Sequence, residues 1–426
     1  MTMILIGIVF LLLALIGTPL FVIIGGIALL AFYSADINSS AVIIELYRMA
    51  SAPTLLAIPL FTFAGYMLAE SKSPKRIVAL ANSFVGWMPG GLAVVSLISC
   101  AFFTAFTGAS GVTIIAMGGL LYPILIKESY SEKFSLGLLT TSGSLGLLFP
   151  PSLPIILYGL VSGTSIDKLF LAGVLPGALF VAILAIYSGA VGGRSGKIER
   201  HRFDWKVVGK AMRGAIWEIP LPFIILGGIY GGFFTATEAA AITAFYVTIV
   251  ETLIYRDLHP VRDVPRIMQE SMILVGGILI ILGTALGLTN YLVDEEIPMK
   301  ILDLMRNYIN SKLVFLIVLN LFLIVVGCLM DIFSAIIVVV PLIIPIAREF
   351  GVDPVHLGII FLANLEIGYM TPPVGLNLFI SSFRFNKPVI TLYRATLPFL
   401  LLLLIGLIII TYVPQLSLFL VELMGK

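Results

Sequence analysis

The side chains that could do chemistry in this chain are few, and most stand inside long apolar runs. Thr107-Gly-Ala-Ser-Gly111 lies in the middle of residues 91–126, with Thr104 and Thr113 beside it. Ser152 follows the Pro150-Pro151 pair, and Asn377 follows Pro372-Pro373. Asp331 interrupts the apolar run 313–347, and Glu366 stands just before the second proline pair. This is a set for holding ions rather than for breaking bonds. A carboxylate among exposed carbonyls and hydroxyls suits a hard cation such as Na+. Ser152 and Asn377, at helix restarts with free amides beside them, suit the oxygens of an anion. No Lys or Arg lies deep in any apolar run. A carboxylate substrate is therefore expected to be held by helix N-termini, hydroxyls and amides.

The acids divide by position. Asp331, at the tip of the second hairpin, is costly at that depth and is a functional candidate by default, with a structural cap on the hairpin's inner helix as the lesser reading. The two roles can coexist. Glu366 is expected to accept hydrogen bonds from amides freed by the proline break, with ion coordination as the minority reading. Glu238, after Thr237 at a helix start, reads as a cap. Glu70 and Glu218, at the ends of apolar runs, read as interfacial.

Several classes are excluded. There is no intramembrane His, and the acids are scattered, so no nucleophile–base pair or catalytic metal constellation exists. We therefore expect no enzyme. No nucleotide-binding Gly-rich loop, metal-spaced Cys/His set or basic nucleic-acid stripe occurs. Cys100 and Cys328 lie in apolar runs and read as buried free thiols. His201, His259 and His356 fall in loops or at helix ends and receive no role.

The elements that must position these residues follow from composition. The chain has 426 residues, 60% hydrophobic and 11% charged, which is the make-up of a polytopic protein in a lipid bilayer. Its charges sit in short clusters between apolar runs, leaving no sizeable soluble domain. In Gly368-Tyr-Met-Thr-Pro-Pro-Val-Gly-Leu-Asn377, two prolines remove two backbone donors and bias Thr371 away from helix. A helix reaching Gly368 should unwind and restart near Val374. Unpaired backbone is tolerated in lipid only where protein buries it or a cavity is lined.

Gly146-Leu-Leu-Phe-Pro-Pro-Ser152 repeats that spacing, displaced by 222 positions, and the same shift carries Pro123 onto Pro345 and Gly65 onto Gly287. Two similar halves, each with an interrupted span, point to a transporter whose site lies at the repeat interface. A channel is the weaker reading, because inverted repeats with broken helices favour alternating access.

The expected organisation is all-α, with a first repeat over 1–193, a cytoplasmic linker over 194–214 and a second repeat over 215–426. Each repeat carries a re-entrant hairpin (91–126 and 313–347) and a Pro-Pro-broken helix (135–160 and 357–383). Other spans are expected at 53–70, 168–192, 215–232, 236–256, 267–293 and 395–421. The run 3–33 reads as a hairpin of 3–16 and 20–33 by symmetry, or as one helix. Residues 41–51, with Glu45 and Arg48, read as an interfacial piece. Met1 to Leu15 lacks a basic leader and a small-residue cleavage site, and is expected to be retained as a membrane helix.

Loops 71–90, 127–134, 194–213, 256–266 and 384–394 share one side and hold 18 of the 25 Lys and Arg, which makes that side the cytoplasm. An odd number of crossings per half turns the second repeat upside down and leaves both termini periplasmic.

Thr107-Gly-Ala-Ser-Gly111, Gly146-x-x-x-Pro-Pro-Ser152, Phe234-Thr-Ala-Thr-Glu238 and Asn364-x-Glu-Ile-Gly-x-x-Thr-Pro-Pro-Val-Gly-x-Asn377 resemble the large membrane (permease) subunit of tripartite ATP-independent periplasmic (TRAP) transporters. The resemblance runs the whole length. It implies a Na+-driven importer of the ion-transporter superfamily, moving its substrate by an elevator motion across the bacterial or archaeal cytoplasmic (inner) membrane. A small four-helix membrane subunit and a periplasmic substrate-binding protein would complete it. The substrate would be an organic acid of the C4-dicarboxylate, sialic acid or sugar acid class. Carried over, the first Na+ site falls at Gly108, Ser110, Phe149 and Ser152. The second falls at Gly327, Asp331, Gly368, Met370 and Thr371. Thr107, Ser110, Ser152, Thr371 and Asn377 would hold substrate. Ala236 departs from the proline usual in the family, which bears on a turn and on no site. The alternative of the same class is a self-sufficient Na+/carboxylate symporter that needs no binding protein.

Overall fold

The computed structural model describes residues 16–35, 51–88, 90–194, 203–306 and 311–424, with single positions between 9 and 47 and at 309. Residues 3–8, Glu45, Arg48, His201 and both chain termini lie outside the described residues. Expectations resting on them are therefore left where the sequence put them. Among the described residues all regular structure is helical, and eight helices are long and apolar enough to cross a membrane, or up to nine counting one bent pair.

The first half runs α1 (Leu20–Ser34), α2 (Ala57–Glu70), α3 (Ser73–Val85), then the helices α4 (Gly91–Thr107) and α5 (Ser110–Lys127). A 3-10 turn at Leu145–Leu148 separates α6 (Glu132–Ser142) from α7 (Leu153–Ser162), and α8 (Ile166–Arg194) follows. The linker ends in α9 (Trp205–Gly214). The second half runs α10 (Pro220–Tyr230), α11 (Ala236–Ile249), α12 (Asp263–Asp294), α13 (Ile297–Arg306), α14 (Lys312–Leu329) and α15 (Ile332–Glu349). Then come α16 (Pro354–Gly368), α17 (Leu376–Phe385), α18 (Val389–Tyr412) and α19 (Gln415–Met424).

The shift of 222 positions carries α5 onto α15 residue for residue, and brings α4, α7 and α3 to within two residues of the starts of α14, α17 and α13. The two halves are therefore repeats at the level of elements. Both hairpins and both breaks stand where the Gly and Pro residues put them. The peptide bond inside each proline pair is cis, and the first broken helix bends by 43°.

Three elements differ from expectation. Loop 71–90 holds the short helix α3, and α13 stands in the unassigned stretch between the spans expected at 267–293 and 313–347; their apolar residues recur at helical spacing and pack on α4 and α15. Their polar faces lower the apolar signal. The run 395–421 is two helices rather than one, because Pro414 removes the donor that would continue α18.

Two clusters of helices stand out, and they touch where α2 meets α4 and α12 meets α15. α2 packs on α11 and α12, and α1 on α12. The hairpins and broken helices form the other group, and they interlock across the repeats: α5 lies against α17, and α15 against α7. Each hairpin's second helix thus braces the restart of the other half's broken helix.

Glu218, at the end of an apolar run, is buried against the rest of the protein. Arg76 of α3 is hydrogen-bonded to Glu218 through Nε, to both oxygens of Glu251 at 3.0 Å and to Asp257 at 2.5 Å, and lies 3.8 Å over the Tyr255 ring. One cation from the first repeat is shared by three carboxylates of the second. Burial works against the Asp257 carboxylate, but hydrogen bonds from Arg76 and Lys72 hold its carboxyl below the ordinary value. Glu70 is exposed as expected and pairs with Arg266 at 2.8 Å.

Arg76→Met should leave Glu218 and Glu251 without their cation, and Asp257 with Lys72 alone, and cost about 3–5 kcal/mol. Lys72→Met, at a side chain 68% exposed, should cost under about 1 kcal/mol. Thermal unfolding of the two purified variants measures the difference, and equal shifts would mean the cluster carries no stability.

Candidate ion and substrate site

The first hairpin turns at Gly108, whose φ of +64° is a left-handed conformation that glycine adopts freely. A Cβ there would lie 2.6 Å from Leu153 Cδ1 and Cγ. The tip is therefore seated directly on the restart of the first broken helix, beside Ser152. Ser110 opens α5 and is buried. Thr107 is buried, its hydroxyl 3.4 Å from the Ala109 carbonyl and from Thr113 Oγ1. Thr104 Oγ1 reaches Thr113 Oγ1 at 2.7 Å and the Gly143 carbonyl at 2.9 Å, which ties the hairpin to α6. The Phe149 carbonyl accepts from the Ser152 amide at 3.1 Å. The Ser152 hydroxyl itself is fully buried and has no hydrogen-bond partner. Gly108, Ser110, Phe149 and Ser152 are thus brought to one tip-and-break junction.

The second junction is built the same way with different atoms. Gly327, near the end of α14, lies against Gly368 at the end of α16, where an added Cβ would come 2.6 Å from Gly327 C and Cα. The Gly375 amide donates to the Cys328 carbonyl at 3.1 Å, and the Ile332 amide donates to the Tyr369 hydroxyl at 2.6 Å. Thr371 Oγ1 donates to the Ile367 carbonyl at 2.9 Å, which leaves its lone pairs open. Met370 is buried, and its amide donates to the Ile367 carbonyl at 3.0 Å. Tyr369 was missed in the sequence; its place inside the Gly368-to-Asn377 motif was the one available signal.

Two acids differ from expectation here. Asp331 is exposed rather than enclosed, and both of its oxygens are engaged. Oδ1 accepts from the Phe333 and Ser334 amides at 3.0 Å each, and Oδ2 accepts from Ser334 Oγ at 2.5 Å. The capping reading holds in full, because the start of α15 offers amides at short range.

Glu366 is fully buried, and neither oxygen has a hydrogen-bond partner. The amides it was expected to meet are satisfied within the break. Met370 and Thr371 donate to Ile367 and Gly368, and Asn377 donates to the Tyr369 carbonyl at 3.1 Å. Glu238 behaves as read, in a capping box with Thr235.

Asn377 links the two halves of the site. Its side chain is buried, donating Nδ2 to the Thr140 carbonyl at 3.4 Å, while Oδ1 has no partner. Thr140 Oγ1 in turn donates to Ser381 Oγ at 2.9 Å. The sequence also gave no sign of a buried polar chain behind the second junction. There Asn364 Nδ2 donates to Asn320 at 2.6 Å, Asn320 Nδ2 donates to Thr411 at 3.2 Å, and His356 stands between Ser417 and the Thr411 carbonyl.

The chemistry available is coordination. Among the described residues no group of three or more His, Cys, Asp or Glu could hold a metal ion. The donors at both junctions are neutral oxygens, apart from Asp331. An orphaned buried hydroxyl at Ser152 and an open-lone-pair hydroxyl at Thr371 fit a hard monovalent cation.

Residues 4–416 match the family described as tripartite ATP-independent periplasmic transporter, DctM component. The C4-dicarboxylate TRAP transporter large permease protein DctM of Pseudomonas aeruginosa is 37% identical, over 94% of this chain and 93% of that protein. The ectoine TRAP transporter large permease protein TeaC of Halomonas elongata is 30% identical, over 96% and 97%. In fold the chain is similar to the Alcanivorax borkumensis YdaH transporter, with a TM-score of 0.63 and 12% identity over 91% of this chain and 88% of that one.

Proposed function

The chain belongs to the DctM component family of tripartite ATP-independent periplasmic transporters, and from that premise we propose that it is the permease of a Na+-coupled importer of an organic acid. The observation that carries the sodium reading is the Ser152 hydroxyl, buried without a partner where the first hairpin tip meets the broken helix. A dry, unpaired oxygen of this kind is costly to leave empty and is repaid by a cation. Ser110 and the Phe149 carbonyl would complete the first site. Gly327, Gly368, Met370 and Thr371 would supply the second, largely through carbonyls, with Asp331 adding charge nearby. The substrate's acid group would lie between them, against Thr107, Ser110, Ser152, Thr371 and Asn377.

The two clusters of helices support a reading of alternating access. The hairpins and broken helices would travel as one body past α1, α2 and α10–α12, which is an elevator motion. The repeat over 1–193 and the inverted repeat over 215–426, joined by a cytoplasmic linker at 194–214, would give the moving body matching faces. The basic loops orient the chain in the inner membrane, termini outside. A small membrane subunit and a periplasmic substrate-binding protein would complete the system, the latter setting much of the specificity.

Ser152→Ala provides the test, with Ser110→Ala beside it. Deleting an unpaired buried hydroxyl should leave thermal stability unchanged or raised. The sodium concentration for half-maximal uptake should nevertheless rise by about tenfold, the effect of losing roughly 1–2 kcal/mol of ligand contact. Unchanged sodium dependence in both variants would remove the first site from the mechanism.

A further inference from the structure

Away from the transport site, a cavity of about 670 Å³ opens between α3 and α9, lined by Asn82, Ser83, Trp87, Phe203, Val207 and Lys210 among others. Its setting is unusual. Val208 is the one α9 residue that the protein buries, while Trp205 is 75% exposed and Val207 55%. Phe203, Met212, Ile216 and Trp217 are exposed beside them. An apolar surface of this kind, rich in Trp, is what a helix lying in the membrane interface presents. All three tryptophans of the chain, Trp87, Trp205 and Trp217, fall on α9 or on the chain directly flanking it and this cavity.

The charge is equally ordered. Lys206, Lys210 and Arg213 stand at i, i+4 and i+7 and so share one face of α9. None of the three forms an ion pair among the described residues. Lys210 is the cation that reaches into the cavity uncommitted. Arg76, also on the wall, is already held by Glu218, Glu251 and Asp257. The wall's carboxylate is Asp204, whose Oδ1 caps α9 by accepting from the Lys206 amide at 2.8 Å.

We propose that this cavity binds an anionic phospholipid, with its phosphate against Lys210 and the Lys206–Arg213 stripe, and its glycerol and upper acyl chains between Trp87, Phe203 and Val207. The occupant is a membrane lipid rather than a free phosphate, because the lining around the cation is aromatic and aliphatic. It is anionic rather than zwitterionic, because three unpaired cations share the adjoining face. The lipid would brace α3, which packs on hairpin helix α4, against the linker helix. The site is independent of the sodium and substrate residues.

The chain's own fluorescence tests it. Trp205→Phe and Trp217→Phe together leave Trp87 as the single reporter in full-length protein reconstituted into vesicles. Brominated phosphatidylglycerol should quench Trp87 several-fold more effectively than brominated phosphatidylcholine at the same mole fraction, and millimolar inorganic phosphate should not relieve it. Neutralising Lys206, Lys210 and Arg213 together to Gln should bring the two lipids to equal quenching, abolishing the several-fold preference. If that triple variant fails to insert, the preference of the parent protein alone decides. Equal quenching of the parent protein by both lipids would overturn the proposal. Absence of quenching, whether another chain or another part of this one covers the cavity, would overturn it too.

Discussion

Gly368→Val should abolish uptake in protein that still reaches the membrane. Gly368 ends α16 one turn before the second proline pair, and its Cα faces the backbone of Gly327. A Cβ at 2.6 Å from Gly327 C and Cα cannot be absorbed by a side-chain rotation, because both partners are backbone. The second hairpin must then lift from the break, carrying Cys328 away from the Gly375 amide and Ile332 away from the Tyr369 hydroxyl. Overpacking of this kind costs about 1–3 kcal/mol, which a large membrane protein tolerates. The cation site proposed at that junction, built from carbonyls, would not. Uptake is expected to fall by at least about a hundredfold, with sodium dependence lost rather than shifted. Phe383→Val, at a side chain of α17 that is 86% exposed, is the control. Near-normal uptake by Gly368→Val would show that the Gly327–Gly368 contact is packing alone.

The second large effect is at Asp331, where capping and charge must be separated. Asp331→Asn keeps an oxygen for the Phe333 and Ser334 amides but removes the charge and the acceptor used by Ser334 Oγ. Asp331→Ser keeps the cap without charge in a shorter side chain. Either change should cost α15 no more than about 1 kcal/mol. If the carboxylate contributes to a cation site, both variants should fold and both should need about tenfold more sodium for half-maximal uptake. Uptake with unaltered sodium dependence would leave Asp331 as a cap. The second site would then consist of carbonyls and Thr371.

The sequence was most legible where chemistry is local. Proline removes a donor wherever it stands, so both breaks fell where expected, and the small residues at 107–111 marked the first tip. The repeat was legible because the same local signals recur at one displacement. What was not legible depends on partners far along the chain. Glu218 gave no sign of a buried ion partner, because Arg76 lies 142 positions away in the other repeat. Glu366 looked like a partner for freed amides because no sequence rule says that the break satisfies itself through Ile367, Gly368 and Tyr369 carbonyls. Helices α3 and α13 were missed because one polar face suffices to lower the apolar signal, although their spacing was helical. For the site, the sequence and the resemblance named residues that the structure gathers at two junctions. They did not show that the Ser152 hydroxyl stands alone or that Asp331 is fully engaged as a cap.

The central claim is that this permease moves an organic acid only when sodium drives it and a binding protein delivers it. The direct measurement is uptake of a radiolabelled organic acid into proteoliposomes holding the chain with its small membrane subunit, with a matched periplasmic binding protein outside. The substrate is the acid that thermally stabilises that binding protein. Accumulation above the external concentration should require both an inward sodium gradient and the binding protein, and should vanish when potassium replaces sodium. Accumulation without the binding protein, or undiminished when potassium replaces sodium, would contradict the account.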